Sequence, residues 1–194
     1  MITESIREWR QPVYSSVARS VQAYRTIKLH RAEQLIDLRE KYHDIDDTVE
    51  HNTAYLRRSI REDMELLMRK YHKYNIEERL VQPGTSKGAH YVEVGATETD
   101  FEHLIPMSIM RDMYLFGVIN VDEVLNPPTV LLGKDNHQAL KRAGWDRNTP
   151  DPWLPFQRYS QVLTVRIETV DGLPVDPETW TLADHYEYFH YLNN

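Results

Sequence analysis

Two short runs hold the residues best suited to chemistry. They are Phe101-Glu102-His103-Leu104-Ile105-Pro106, and Asn126 followed by Thr129-Val130-Leu131-Leu132-Gly133-Lys134-Asp135-Asn136-His137. A carboxylate beside an imidazole suits Mg2+ or Mn2+, which prefer oxygen ligands and tolerate an occasional imidazole. Nine His among 194 residues make a His…Asn…His order easy to find by chance, so the weight falls on context. That context is an acidic-His pair before an apolar-Pro tripeptide, then strand, cap and helix in order. With no cysteine, thiol catalysis, disulfides and thiolate zinc sites are excluded. There is no P-loop, no Gly-x-Gly-x-x-Gly and no Gly-x-Ser-x-Gly elbow.

Other groupings compete less well. Glu40/His43 and Glu187/His190 share the Glu-x-x-His spacing of carboxylate-bridged di-iron bundles, but that site also needs Glu from two further helices. Asp44, Asp46 and Asp47 lack the central Gly and terminal Glu of a calcium-binding EF-hand loop, and read as turn and cap residues. The aromatic load after residue 145, with Trp145, Trp153, Phe156 and Trp180, suits a core or a protein interface better than base stacking, because acids outnumber cations there.

Periodicity supplies the elements that must position these residues. Over residues 15–43, Val17, Val21, Tyr24, Lys28, Arg31, Leu35, Leu38 and Tyr42 alternate spacings of four and three, the seam of a long helix. Asp47-Thr48-Val49-Glu50 has the form of a capping box. A second helix is expected over residues 48–75, with Val49, Leu56, Ile60, Met64, Leu67, Tyr71 and Tyr74 on one stripe. Two long helices joined by a short acidic turn should pack as an antiparallel hairpin. Its basic residues, Arg57, Arg58, Arg61, Arg69, Lys70 and Lys73 among them, read as solvated surface ahead of a phosphate-tracking face, with Arg58–Glu62 and Arg61–Glu65 spaced for ion pairs.

Gln82-Pro83-Gly84-Thr85-Ser86-Lys87-Gly88 reads as a linker. Beyond it strands are expected at residues 90–94, 99–104 and 129–132, a short helix at 107–116 stopped by Gly117, and a helix capped by Asp135 that ends before Gly144. Residues 148–155 form a Pro-stiffened connector, 162–170 a strand before an Asp171-Gly172 turn, and 178–192 an aromatic helix. The expected fold class is α+β: a helical hairpin over residues 1–82, a mixed core over 83–147, and a C-terminal β-hairpin and helix over 148–194.

Apolar content of 41% and charged content of 27% fit a globular chain. Charge is unevenly spread: residues 1–90 carry 16 Lys+Arg against 14 Asp+Glu, and residues 91–194 carry 7 against 16. A phosphate-binding protein normally clusters Lys and Arg, and here the candidate residues lie in the acidic half. No run approaches the roughly 20 apolar residues of a membrane span, and the first ten residues lack the apolar block of a secretory signal, so a cytoplasmic protein away from membranes is expected.

The order of these residues resembles the HNH nucleases (ββα-metal, or His-Me finger), in which a strand, a loop, a second strand and a helix hold one divalent metal. The resemblance covers roughly residues 90–145. It implies a ββα-metal core in which His103 is the general base that activates water, Glu102 a metal ligand, Asn126 the residue that orients the base, and His137 a metal ligand from the helix. Glu102-His103-Leu104-Ile105-Pro106 is also similar to a segment of the HNH domain of RNA-guided DNA nucleases, whose strand-to-helix segment ends in a metal-binding Asn. On that register Asn136 is the ligand, and the two alternatives stay open. The interval from His103 to Asn126 is longer than in compact HNH domains, with a predicted helix inserted. The implied function is Mg2+- or Mn2+-dependent cleavage or nicking of DNA by a phage-type protein. The alternative, from another class, is a non-catalytic interaction or structural protein that assembles with itself or a partner through residues 15–75.

Overall fold

The computed structural model describes residues 15–27, 30, 47–72 and 89–189. The expected linker at 82–88, the seam positions Lys28, Arg31, Leu35, Leu38 and Tyr42, the stripe residue Tyr74, the Glu40/His43 pair and His190 lie outside the described residues. Residues 15–27 are helical (α1). The order continues α2 (Asp47–His72), β1 (Tyr91–Glu93), β2 (Thr99–His103), α3 (Met107–Leu115), α4 (Val121–Leu125), β3 (Thr129–Gly133), α5 (Lys134–Arg142), α6 (Gln157–Ser160), β4 (Ile167–Thr169) and α7 (Leu182–Tyr188). No described helix is long and apolar enough to cross a membrane.

The fold class is mixed α+β, with a four-stranded sheet in the order β2-β3-β1-β4. β3 runs antiparallel to β2 and parallel to β1, and β1 runs antiparallel to β4. As a central strand β3 is buried at every position, which is why Thr129-Val130-Leu131-Leu132-Gly133 does not alternate apolar with polar. β2 is an edge strand, half-buried along its length, and can carry Asp100 and Glu102 on one face. His103 pairs with Thr129 and Thr99 with Gly133, so the start of α5 is pinned beside the start of β2.

Two apolar clusters support the sheet and helices. Ala18 and Val21 of α1, Met64, Met68 and Tyr71 of α2, and Met107, Met110, Met113 and Leu115 of α3 form one, with Val124 and Leu125 of α4. Tyr91, Val130, Leu132, Leu140, Phe156, Tyr159, Ile167 and Phe189 form the other, so residues from the sheet, α5 and the C-terminal elements share one core.

Several boundaries differ from expectation, each for a local reason. The strand expected over 162–170 shrinks to Ile167–Thr169, because the Val162 and Leu163 amides bond back to the Tyr159 carbonyl and finish α6. The aromatic helix is Leu182–Tyr188: Thr181 and Asp184 form a capping box that fixes its start, and Trp180 closes a turn on Asp176. Asp135 does not cap α5. The N-cap position is Gly133, whose N–H goes to Glu93 of β1 at 2.7 Å, while Asp135 sits in the first turn. Arg61 pairs with Asp112 of α3 at 2.7 Å rather than with Glu65, which instead binds Arg69 and Arg111. The Arg58–Glu62 pair forms at 2.8 Å. α4 was unforeseen, although Asn120 and Glu123 form its capping box with the spacing such boxes require.

The Met68 side chain is fully buried where α2 meets α3, whereas Leu66, one face round the helix, is 52% exposed. Met68→Ala is expected to cost about 2–5 kcal/mol in urea unfolding. Leu66→Ala should stay within about 0.5 kcal/mol.

Candidate functional site

Asp100 and Glu102 are two residues apart on β2 and project from the same face of the strand. α5 follows β3 directly, and its buried residue His137 lies against that face. The ring is held at both nitrogens. Its Nδ1 lies 2.8 Å from Asp100 Oδ2, and its Nε2 lies 3.1 Å from Glu102 Oε2. The second oxygen of Glu102 accepts from Arg158 Nη2 at 2.6 Å.

Arg158 has no exposed side-chain surface. Its Nη2 also donates to the His103 carbonyl at 2.5 Å and to the Tyr159 hydroxyl at 3.0 Å, and its Nη1 donates to the Trp145 carbonyl at 2.7 Å. Burial raises the pKa of the Glu102 carboxyl, but the His137 hydrogen bond and the Arg158 charge outweigh it and hold the group below its ordinary value. The His137 hydrogen bond likewise holds Asp100 low. The Glu102 hydrogen bond carries His137 above its ordinary value, against burial and together with Asp100.

The arrangement demands a cation. A neutral imidazole offers one N–H, yet His137 faces an ionised carboxylate at each nitrogen. The imidazolium meets that demand by donating one N–H to Asp100 and the other to Glu102, in keeping with its raised pKa. Glu102 and His137 fit a divalent ion in donor type, one hard oxygen and one imidazole nitrogen. Asp100 sits at the far nitrogen and does not converge with them. Among the described residues no three His, Asp or Glu side chains gather around one point, so water would have to supply the rest of any ion's shell.

The other expected residues are placed differently. The Asn136 amide donates to Glu93 Oε1 at 2.7 Å, and Glu93 also takes the Gly133 N–H at the start of α5. A Cβ at Gly133 would lie 3.0 Å from that carboxylate, so a side chain there would push against the group that holds Asn136. Asn126 ends α4, its amide donating to the Asp122 carbonyl at 2.8 Å, so that donor is not the one holding His103. The His103 ring packs against His72 of α2 at 5.3 Å and Phe101 at 5.5 Å between centroids. Its Nε2 is sealed from solvent and has no hydrogen-bond partner. Burial pushes His103 down to about 4, with Arg69 and Arg158 adding to the effect against Glu102. Burial and the neighbouring His103 push His72 down as well.

The sequence reading missed Asp100 and Arg158. The Asp100-x-Glu102 alternation on a predicted strand could have flagged the first. Nothing local marks the second, which lies 56 positions from Glu102.

Two predictions follow from this network. Arg158→Met removes the guanidinium partner of the buried Glu102 carboxylate, and is expected to cost about 3–5 kcal/mol. Adding Glu102→Gln should recover part of that loss in a double-mutant cycle of chemical denaturation. For His103, the folded value lies below the unfolded one, so between pH 6.5 and about 4 the unfolded chain binds a proton that the folded chain refuses. Its contribution is whole above pH 6.5 and is lost as pH falls through that window, at about 1–3 kcal/mol. The stability difference between pH 7 and pH 4.5 should therefore be smaller in His103→Gln than in the parent chain. Comparison of the chain with protein-family models, with curated proteins and with solved structures finds no match in any of the three.

Proposed function

We propose that this chain is a metal-dependent nuclease of the HNH kind, acting on DNA phosphodiester bonds with Mg2+ or Mn2+. In this reading β2, β3 and α5 form the ββα unit, with α1 and α2 as an appended helical hairpin. The observation that carries it is the 3.1 Å approach of His137 Nε2 to Glu102 Oε2, which brings one oxygen and one imidazole nitrogen of the kinds a divalent ion takes together from separate elements. A bound divalent ion would neutralise charge developing on the phosphate. Glu102 and His137 would hold it, while Asn136 serves α5 through Glu93.

His103 suits a general base in one respect. Its lowered pKa keeps the imidazole neutral at pH 7, the form able to accept a proton from water. Its Nε2 is sealed from solvent, so the surrounding groups must shift before water reaches it. Several cations stand near these residues. Lys134 and Lys141 act on Asp100, Lys141 on His137, and Arg69 on His103. Lys134 pairs with Glu98 and Arg69 with Glu65, so a polyanion at α5 would rely on a bound cation to offset the acidic half.

The second reading is an interaction protein that keeps the ion network as scaffold. What favours it is the same sealed Nε2, together with Arg158 as a built-in counter-charge for Glu102. Nicking of supercoiled plasmid separates the two. The nuclease should nick with Mg2+ or Mn2+ and stop with EDTA, and His103→Ala and His137→Ala, checked for folding by circular dichroism, should each slow nicking about 100-fold or more. A parent chain that leaves the plasmid closed, or a folded His103→Ala as active as the parent, would sink the catalytic reading.

A further inference from the structure

α7 joins the two apolar clusters. Leu182 at its start belongs to the cluster built on α1–α4, and Phe189 just past its end belongs to the cluster of the sheet. Between them His185, 1% exposed, carries the hold of the helix on β1. Its Nδ1 lies 2.9 Å from the Tyr91 hydroxyl, and its ring meets His90 edge-on at 4.8 Å between centroids. The next residue, Tyr186, donates to the Glu123 carbonyl of α4 at 2.8 Å.

One donor fixes where the protons of this network lie. An indole N–H can only donate, so Trp180 Nε1, 3.0 Å from the Tyr91 hydroxyl, fills an acceptor site there. The Tyr91 hydrogen is then directed at His185 Nδ1, which must offer a lone pair. The His185 proton therefore sits on Nε2, where the Asn126 backbone at the end of α4 supplies the other hydrogen bond of the ring. A second proton on Nδ1 would set an N–H against the Tyr91 hydroxyl and displace the hydrogen now directed there. No carboxylate stands by to compensate. Asp184 accepts from Thr181 and Glu123 from Asn120, each closing a helix cap. The titratable groups packed on the ring are His90 and Tyr91 of β1 and Tyr186 of α7 itself. Burial pushes His185 well below its ordinary value, with His90 adding to the effect and the Asn126 backbone opposing it.

We infer that α7 is a proton-released latch, closed on β1 only while His185 is neutral and freed by acid ahead of the rest of the fold. The latch is independent of the nuclease reading, since it uses neither Glu102, His103 nor His137. In an opened α7 His185 titrates near 6.5, whereas the closed helix refuses the proton. The hold is therefore whole above pH 6.5, and below it the opening constant rises about tenfold per pH unit. α7 has only seven residues, and small elements can open locally at less than the global cost.

The test is native-state hydrogen exchange on the full chain at pH 7 and pH 5, corrected for the intrinsic pH dependence of exchange. The amides of His185 and Phe189, bonded to the Thr181 and His185 carbonyls, report α7, and those of α3 report the body of the fold. α7 should open more readily than α3 at both pH values, and its opening constant should rise about 20-fold or more on acidification. His185→Gln, which cannot take up the proton, should cut that rise below about threefold. A 15N NMR measurement needs no variant: at pH 7 the parent chain should show His185 as the neutral Nε2–H tautomer. Equal opening constants in α7 and α3, a rise that persists in His185→Gln, or an Nδ1–H or charged ring at pH 7 would each overturn the inference.

Discussion

A guanidinium with no solvent exposure organises the middle of this protein. Arg158 reaches from the short helix α6 to the Glu102 carboxylate, the His103 carbonyl, the Trp145 carbonyl and the Tyr159 hydroxyl. An ionised arginine without partners in such a place would carry a desolvation penalty of several kcal/mol, so its carbonyls and carboxylate are conditions of its burial. The end of β2, the turn after α5 and α6 are therefore tied to one charge. The facing pair of Glu102 and His137 cannot be described without a residue from the C-terminal part of the chain.

The charges of the protein sort by burial. Arg58 and Glu62 meet at 2.8 Å on the surface of α2, where water screens them and the pair adds little to stability. Arg158, Glu102, His137 and Asp100 form a chain that runs from a fully buried cation to a half-exposed carboxylate. Along it each group shifts its neighbour's proton affinity, and carboxylates stay ionised despite burial. On the neighbouring position of β2, His103 and His72 pack as rings instead, and burial keeps both neutral. Two chemically different surroundings are thus set side by side by the alternation of one strand.

Much of the architecture was legible because it is local. The strands at 91–93, 99–103 and 129–133 announce themselves by alternation or by an apolar run, and α3 and α5 end at glycines with positive φ, Gly117 and Gly144. What local rules missed had been decided by something distant. Asp135 looked like a cap, but Glu93 from another strand reaches the start of α5 first. Arg61 looked paired with Glu65, but α3 brings Asp112 to it. Val162 and Leu163 looked like strand and finish a helix, because their amides find the Tyr159 carbonyl and no neighbouring strand.

By itself the sequence determined the mixed fold class, the sites of β1, β2, β3, α3 and α5, and the residue types able to hold a cation or move a proton, since side-chain chemistry and backbone period are properties of neighbours along the chain. Tertiary structure alone decided which of those groups meet. It placed His137 between Asp100 and Glu102, gave Asn136 to Glu93, spent Asn126 on closing α4, and buried His103 beside His72. The physical reason is that contact, burial and charge compensation depend on sheet register and helix docking, which bring together residues whose separation along the chain carries no signal of the encounter.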